Sequence, residues 1–217
     1  PFGSDGTSLE ILRALAQSKI KRIIITTKGA AGPDIIKLLA EYPAKFSYNI
    51  VLKPRGEFRL EQGPDNSRER LEAAVAAQKA GALSTVHLDP LLAGIEDSEE
   101  LLAPFFDGLA KAGLKRVMFS YLLVNADIAA LLRQKLPAAQ AEKLLSLYQG
   151  PQTQVLPNQK DTAYAGLKPE IKTESVQRVS RLLKERGFDY VLCSLKSGKD
   201  GVRKGTDCPL CDGKFYA

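Results

Sequence analysis

Ser84-Thr85-Val86-His87-Leu88-Asp89 (STVHLD), with Pro90 expected to stop it, is the stretch on which the fold turns. It is too short for a buried helix and reads as a strand. Every second residue in it is polar: Thr85, His87 and Asp89. A parallel strand covered by helices on both sides should be apolar on both faces. One polar face suits a (β/α) barrel instead, where that face lines the lumen and its polar groups meet a ligand near the C-terminal mouth. The same alternation recurs at Ser47 and Asn49 in Phe46–Leu52 (FSYNIVL) and at Ser120 in Arg116–Val124 (RVMFSYLLV).

Outward from these strands, apolar periodicity switches regularly between two and 3.6 residues. Thr7-Ser8-Leu9-Glu10 reads as a capping box that opens a helix to about Gln17. Arg22–Thr27 (RIIITT) is a buried strand. Asp34–Tyr42 is a helix closed by Pro43, and Pro54–Ser67 is a Gly- and Pro-rich loop. Arg68–Lys79 is an alanine-rich helix followed by Gly81, and Ser98–Ala112 is a helix ended by Gly113. Ala126–Tyr148 is helical with a break at Pro137, and Gln149–Lys172 is irregular. Thr173–Arg186 is an amphipathic helix and Phe188–Cys193 a last strand. Strict alternation of strand and helix predicts a parallel sheet. No G-x-G-x-x-G loop follows any strand, so a dinucleotide-binding sheet has no anchor. The expected fold is α/β, a parallel, partial TIM-like (β/α) barrel over residues 1–192 with a short cysteine-containing tail over 193–217.

The chain has 217 residues, 44% hydrophobic and 26% charged, with a net charge of +6. It can bury a sizeable core as one unit. No apolar run reaches the roughly 18–20 residues that span a bilayer, and no signal-peptide pattern appears. The expected location is cytoplasmic, with no membrane partner. Basic residues are spread along the chain, densest at Lys196–Lys204 (KSGKDGVRK), and are not interleaved with aromatics as on a single-strand platform. A small-molecule and a nucleic-acid substrate both stay open.

Barrel enzymes keep their chemistry at strand ends. The ends here are Thr26-Thr27-Lys28-Gly29, Asn49 to Lys53, His87-Leu88-Asp89-Pro90 and Ser120-Tyr121. His87 is the single histidine of the chain, and Asp89 lies on the same face two residues on. The pair is either an acid–base couple or a structural hydrogen-bonded pair at the barrel mouth. Tyr121 is either a radical relay or a packed aromatic.

Leu60–Gly81 (LEQGPDNSRERLEAAVAAQKAG) followed by Ser84–Gly94 (STVHLDPLLAG) resembles the central part of a radical S-adenosylmethionine (SAM) enzyme, and most resembles the spore photoproduct lyase-like branch. The matching positions are Glu61, Gly63, Arg70, Leu71, Ala80, Gly81, Asp89 and Pro90. The opening Pro1-Phe2-Gly3, Ile23–Gly29 (IIITTKG) and Phe188–Asp200 (FDYVLCSLKSGKD) resemble that branch as well. The resemblance implies that a deoxyadenosyl radical made from SAM abstracts hydrogen from a substrate in a lyase-type reaction. It implies SAM and a 4Fe-4S cluster as cofactors, and an electron donor protein of the flavodoxin or ferredoxin type as partner. Candidate SAM contacts are Thr26, Lys28, Asn49, Glu61, Arg70 and Ser120, with His87, Asp89 and Tyr121 as catalytic candidates. In the analogy Asn49 faces the sugar. Glu61 and Arg70 are equally readable as a salt bridge tying loop to helix. The C-x3-C-x2-C cluster motif of the superfamily is not in this sequence, and on the resemblance it would lie upstream of Pro1.

The cysteines are Cys193, Cys208 and Cys211, with the last two as C-P-L-C. Their spacing has two of the intervals of a zinc or second iron–sulfur site. Reactive or hydrogen-donating thiols and a disulfide are the alternatives. Two other functions compete with the radical enzyme. One is a non-catalytic barrel or metal-binding module. The other is an unrelated barrel enzyme using His87 and Asp89 for acid–base work.

Overall fold

The computed structural model describes residues 6–54, 67–149, 152–154 and 162–193. Helix α1 (Thr7–Gln17) leads into strand β1 (Ile23–Thr27), helix α2 (Pro33–Glu41) and strand β2 (Phe46–Val51). Helix α3 (Ser67–Lys79), strand β3 (Leu83–Leu91), helix α4 (Glu99–Lys111) and strand β4 (Arg116–Tyr121) continue the alternation. Helices α5 (Ala126–Lys135) and α6 (Ala138–Leu145) follow, then a short hairpin of β5 (Gln152–Gln154) and β6 (Thr162–Tyr164). Helix α7 (Pro169–Glu185) and strand β7 (Asp189–Leu192) complete the described elements.

Five strands form one parallel sheet in the order β1-β2-β3-β4-β7. Each successive strand is added on the same side, so the order never reverses as it does in a doubly wound sheet. Crossovers of one hand that always step the same way put their helices on one face of the sheet. Side chains on that face reach the helices: Ser84 Oγ donates to Ala74 O of α3 at 3.3 Å. The Tyr121 hydroxyl donates to Ser175 Oγ of α7 at 2.8 Å. Tyr48, Ile50, Val86, Leu88 and Phe119 of the sheet form the core with Leu38, Leu39, Ala74, Ala77, Phe106 and Leu183 of the helices, all buried. This is the architecture of a partial (β/α) barrel, as the alternation predicts.

Several boundaries differ from the sequence reading. The N-cap of α1 is Gly6 at φ +78°, and no side chain caps the helix there. Thr7 is already helical, so its hydroxyl sits one position too late to act as the cap, and the Leu9 and Glu10 amides bond Gly6 O instead at 3.0 and 3.2 Å. Pro90 does not stop β3. The strand runs to Leu91 through a register irregularity between Leu88 and Leu91, with a cis Asp89–Pro90 peptide. A local bulge accommodates a residue that has no N–H to give the ladder. The region expected to be irregular holds the β5–β6 hairpin, and α7 starts at Pro169, four residues before Thr173, with the proline in its first turn. The division expected after residue 192 falls at the edge of the described residues.

Candidate active site

Strand register divides the polar strand residues from the core. Thr26, Asn49 and Thr85 occupy one row, by the pairs Thr26–Asn49 and Asn49–Thr85. Val51, His87, Met118 and Val191 form the next. These rows lie on the face opposite the helices, because their neighbours Ile25, Tyr48, Ile50, Val86 and Phe119 point into the helix-packed core. Asn49 is fully buried, and Ser47, Thr85, His87 and Ser120 are nearly so. The helix-free face, the lumen face of a barrel, therefore carries a polar stripe that is buried from β2 to β4 and exposed at Thr26 on β1.

Within the stripe, Asn49 Nδ2 approaches Thr26 Oγ1 at 3.5 Å. Asn49 Oδ1 is buried and has no hydrogen-bond partner among the described residues. A buried acceptor left in that condition costs about 1–3 kcal/mol, so it marks a place where a donor belongs. One row further toward the mouth, Ser120 Oγ donates to Asp89 Oδ1 across β4 and β3. Cys193 continues β7, its amide bonded to Phe119 O at 2.9 Å. Strand alternation puts its side chain beside Ser120 on the lumen face. Cys193 is buried and forms no disulfide within the described residues.

Other expected site residues lie elsewhere. Tyr121 is on the opposite face, against α7, where burial pushes its hydroxyl pKa up. It does not join His87 and Asp89. Arg70 is buried on α3 and donates from Nη1 to Val51 O at 3.1 Å, tying that helix to the end of β2. Lys28 is exposed beyond β1, next to a turn in which Gly29 N donates to Thr27 Oγ1 at 2.8 Å. Glu61, Cys208 and Cys211 lie outside the described residues, and with them the Glu61–Arg70 pair and the three-cysteine site. Among the described residues no three His, Cys, Asp or Glu side chains are grouped to hold a metal ion.

The loop after β3 holds two carboxylates that sequence reading passes over. Glu96 Oε2 meets Lys53 Nζ at 2.9 Å and accepts from Leu92 N at 3.0 Å, while Lys53 Nζ also donates to Pro90 O. Asp97 takes Gly94 N at 2.6 Å, Ser175 Oγ at 2.5 Å and Arg178 Nη1 at 3.1 Å. Two acidic residues just ahead of a helix read as ordinary first-turn acids. The burial of Asp97 depends on α7, which arrives 78 residues later. Together the two carboxylates tie the mouth loop to Lys53 at the end of β2 and to α7, and so hold the Asp89 end of β3 in place.

No protein-family model and no curated protein matches the sequence. Solved structures do. The fold is similar to that of spore photoproduct lyase. The structure of that enzyme complexed with dinucleoside spore photoproduct superposes with a TM-score of 0.62 at 14% identity, over 87% of this chain and 56% of that one. A tyrosine-to-phenylalanine mutant gives a TM-score of 0.60 at 15% identity, over 85% of this chain and 55% of that one. A cysteine-to-alanine mutant with the dinucleoside gives 0.62 at 15%, over 86% and 56%. Identity this low carries the fold relationship alone. The chain spans just over half the length of each of these structures. Among the described residues no helix is long and apolar enough to cross a membrane.

Proposed function

We propose that this chain forms part of the barrel of a radical SAM enzyme, with the polar stripe on its lumen face as the wall that meets SAM and substrate. The observation that carries the reading is the buried, unpartnered Oδ1 of Asn49, set between Thr26 and Thr85 on that wall. SAM offers hydroxyl and amino donors that such an acceptor would take. The described residues thus suit the polar part of SAM, whereas the iron–sulfur ligands must come from residues outside those described. When bound, the cofactor pair supplies a carbon-centred radical able to abstract hydrogen. On this reading Asn49 and Thr26 orient the nucleoside, Ser120 holds Asp89 at the mouth, and His87 lies one row from Asn49 to hold or move a proton. The buried part of the wall, Asn49, Thr85 and His87, would keep water from the reacting centre, while Thr26 stands at its exposed edge. An electron donor protein of flavodoxin or ferredoxin type, a lyase-type reaction and a cytoplasmic location belong to the same proposal.

The test uses the protein isolated without oxygen from its native source and reconstituted with iron and sulfide. SAM binding is measured by equilibrium dialysis, and 5′-deoxyadenosine release after dithionite reduction by chromatography. Wild type should bind SAM and release the nucleoside, and Asn49→Leu should weaken binding about tenfold, the equivalent of one hydrogen bond of about 1.4 kcal/mol. A protein that takes up no iron and leaves SAM intact overturns the reading. Activity on a substrate without iron or SAM, lost in His87→Ala, would establish the acid–base enzyme in its place.

A further inference from the structure

Among the described residues the helix layer outside the sheet opens between α3 and α4. Helix α2 packs on α3, and α4 packs on α7, but α3 and α4 make no comparable contact. The gap between them is a cleft of about 550 Å³. Small-molecule pockets span about 300–1,000 Å³ and are mostly apolar with a few polar groups at the edge. Here Leu71 of α3 faces Leu101 and Phe105 of α4, and Lys53, Arg68 and Glu100 stand among the lining residues.

The sequence of α4 keeps this cleft open. Pro104 and Gly108, four residues apart on one helix face, both line it. They are the two poorest helix formers, and both sit inside a helix. A Cβ built on Gly108 would meet nothing within 4 Å, so no neighbour demands a glycine there. The consequence of the glycine is that no side chain fills the cleft from that turn.

The charged groups at the edge differ in their commitments. Lys53 is held by Glu96 at 2.9 Å. The Glu100 carboxyl is engaged by its own backbone amide and by Ser98, which hold its pKa below the usual carboxylate value. Arg68 gives its Nε to Glu72 at 2.8 Å, but its side chain is 84% exposed. Its guanidinium has further donors in a planar fork suited to an oxyanion.

We propose that the α3–α4 cleft binds a small amphipathic anion, an aryl or acyl body carrying a carboxylate or sulfonate. The body lies between Leu71 and Leu101 with Phe105, over Gly108, and the anionic group meets Arg68. The cleft is on the helix side of the sheet, the face opposite the side chains of Asn49 and His87, and the proposal stands apart from the SAM reading.

The test is a fluorescence titration of the full chain with 1-anilinonaphthalene-8-sulfonate, paired with neutral N-phenyl-1-naphthylamine. Wild type should bind one saturable equivalent of each. Gly108→Leu fills the cleft and should weaken both probes at least about tenfold, whereas Arg68→Gln should weaken only the sulfonate, by about threefold or more, and flatten its salt dependence. Leucine is a better helix former than glycine, so Gly108→Leu should keep its circular-dichroism melt; Leu101→Lys is the second variant and decides the matter if it does not. Non-saturable binding, or affinities unchanged in folded Gly108→Leu and Leu101→Lys, overturns the proposal. Equal loss of both probes in Arg68→Gln overturns the assignment of an anion.

Discussion

Ser120 on β4 donates its hydroxyl hydrogen to the Asp89 carboxylate on the neighbouring β3. The bond joins two strands at the C-terminal mouth of the sheet, and Pro90, next in the chain, accepts from Lys53 of the β2 end. Three successive strand ends are therefore connected by side chains as well as by the ladder. Contacting residues of this kind are energetically coupled. Ser120→Ala should cost about 1–2 kcal/mol, and a Ser120→Ala, Asp89→Ala double-mutant cycle should show a coupling of about 1 kcal/mol. Urea denaturation of the four proteins measures it, and strict additivity would mean the bond contributes nothing to stability.

Asp97 is the buried acceptor on which the mouth loop depends. Asp97→Ala removes the carboxylate that takes Gly94 N, Ser175 Oγ and Arg178 Nη1, and leaves Arg178 only the backbone carbonyl of residue 97 at 3.2 Å. The expected loss is about 3 kcal/mol, which for a chain of this size lowers the melting temperature by about 6–12 °C. Asp97→Asn keeps an acceptor for Gly94 N and should lose less. A calorimetric scan of both variants tests the order.

Gly81 adopts φ +88°, and a Cβ built on it would stand 2.8 Å from Pro43 Cβ. Gly81→Ala combines left-handed backbone strain with a steric clash and should destabilise by about 2–4 kcal/mol. Pro43→Gly takes away the clashing carbon, so the double variant should lose less than the sum of the two. Chemical denaturation gives the three values, and additivity would mean that the clash is relieved elsewhere.

Burial raises the Tyr48 pKa from 10.0 to about 12. The folded state thus holds its proton over a range in which the unfolded state has lost it. The stability from this difference is present in full below about pH 10 and falls between about pH 10 and 12. The urea midpoint should decline across that window, and Tyr48→Phe should reduce the slope. Tyrosinate absorbance near 295 nm, rising later in the folded protein than in urea, is the direct check.

The polar stripe was legible because strand side chains alternate with a fixed period of two. Ser47 and Asn49, then Thr85, His87 and Asp89, then Ser120, were marked as one face by that rule, and strand register aligns them across the sheet. The same rule sets Tyr121, next to Ser120, on the other face with α7. The bulge through Pro90 and the cap at Gly6 were hidden for a different reason. Each depends on how the backbone bends to satisfy its hydrogen bonds, and several residue types could serve at either place.

The period of each element, hence the alternation of strand and helix and the two faces of every strand, is set by the order of residues along the chain. These follow from local sterics within a few residues. Long-range packing sets the strand order β1-β2-β3-β4-β7, brings Glu96 to Lys53, and brings Asp97 to Ser175. Those pairs are 43 and 78 residues apart. No local rule reaches that far; the partners meet only because the crossovers all step one way and bring α7 back beside the loop that follows β3.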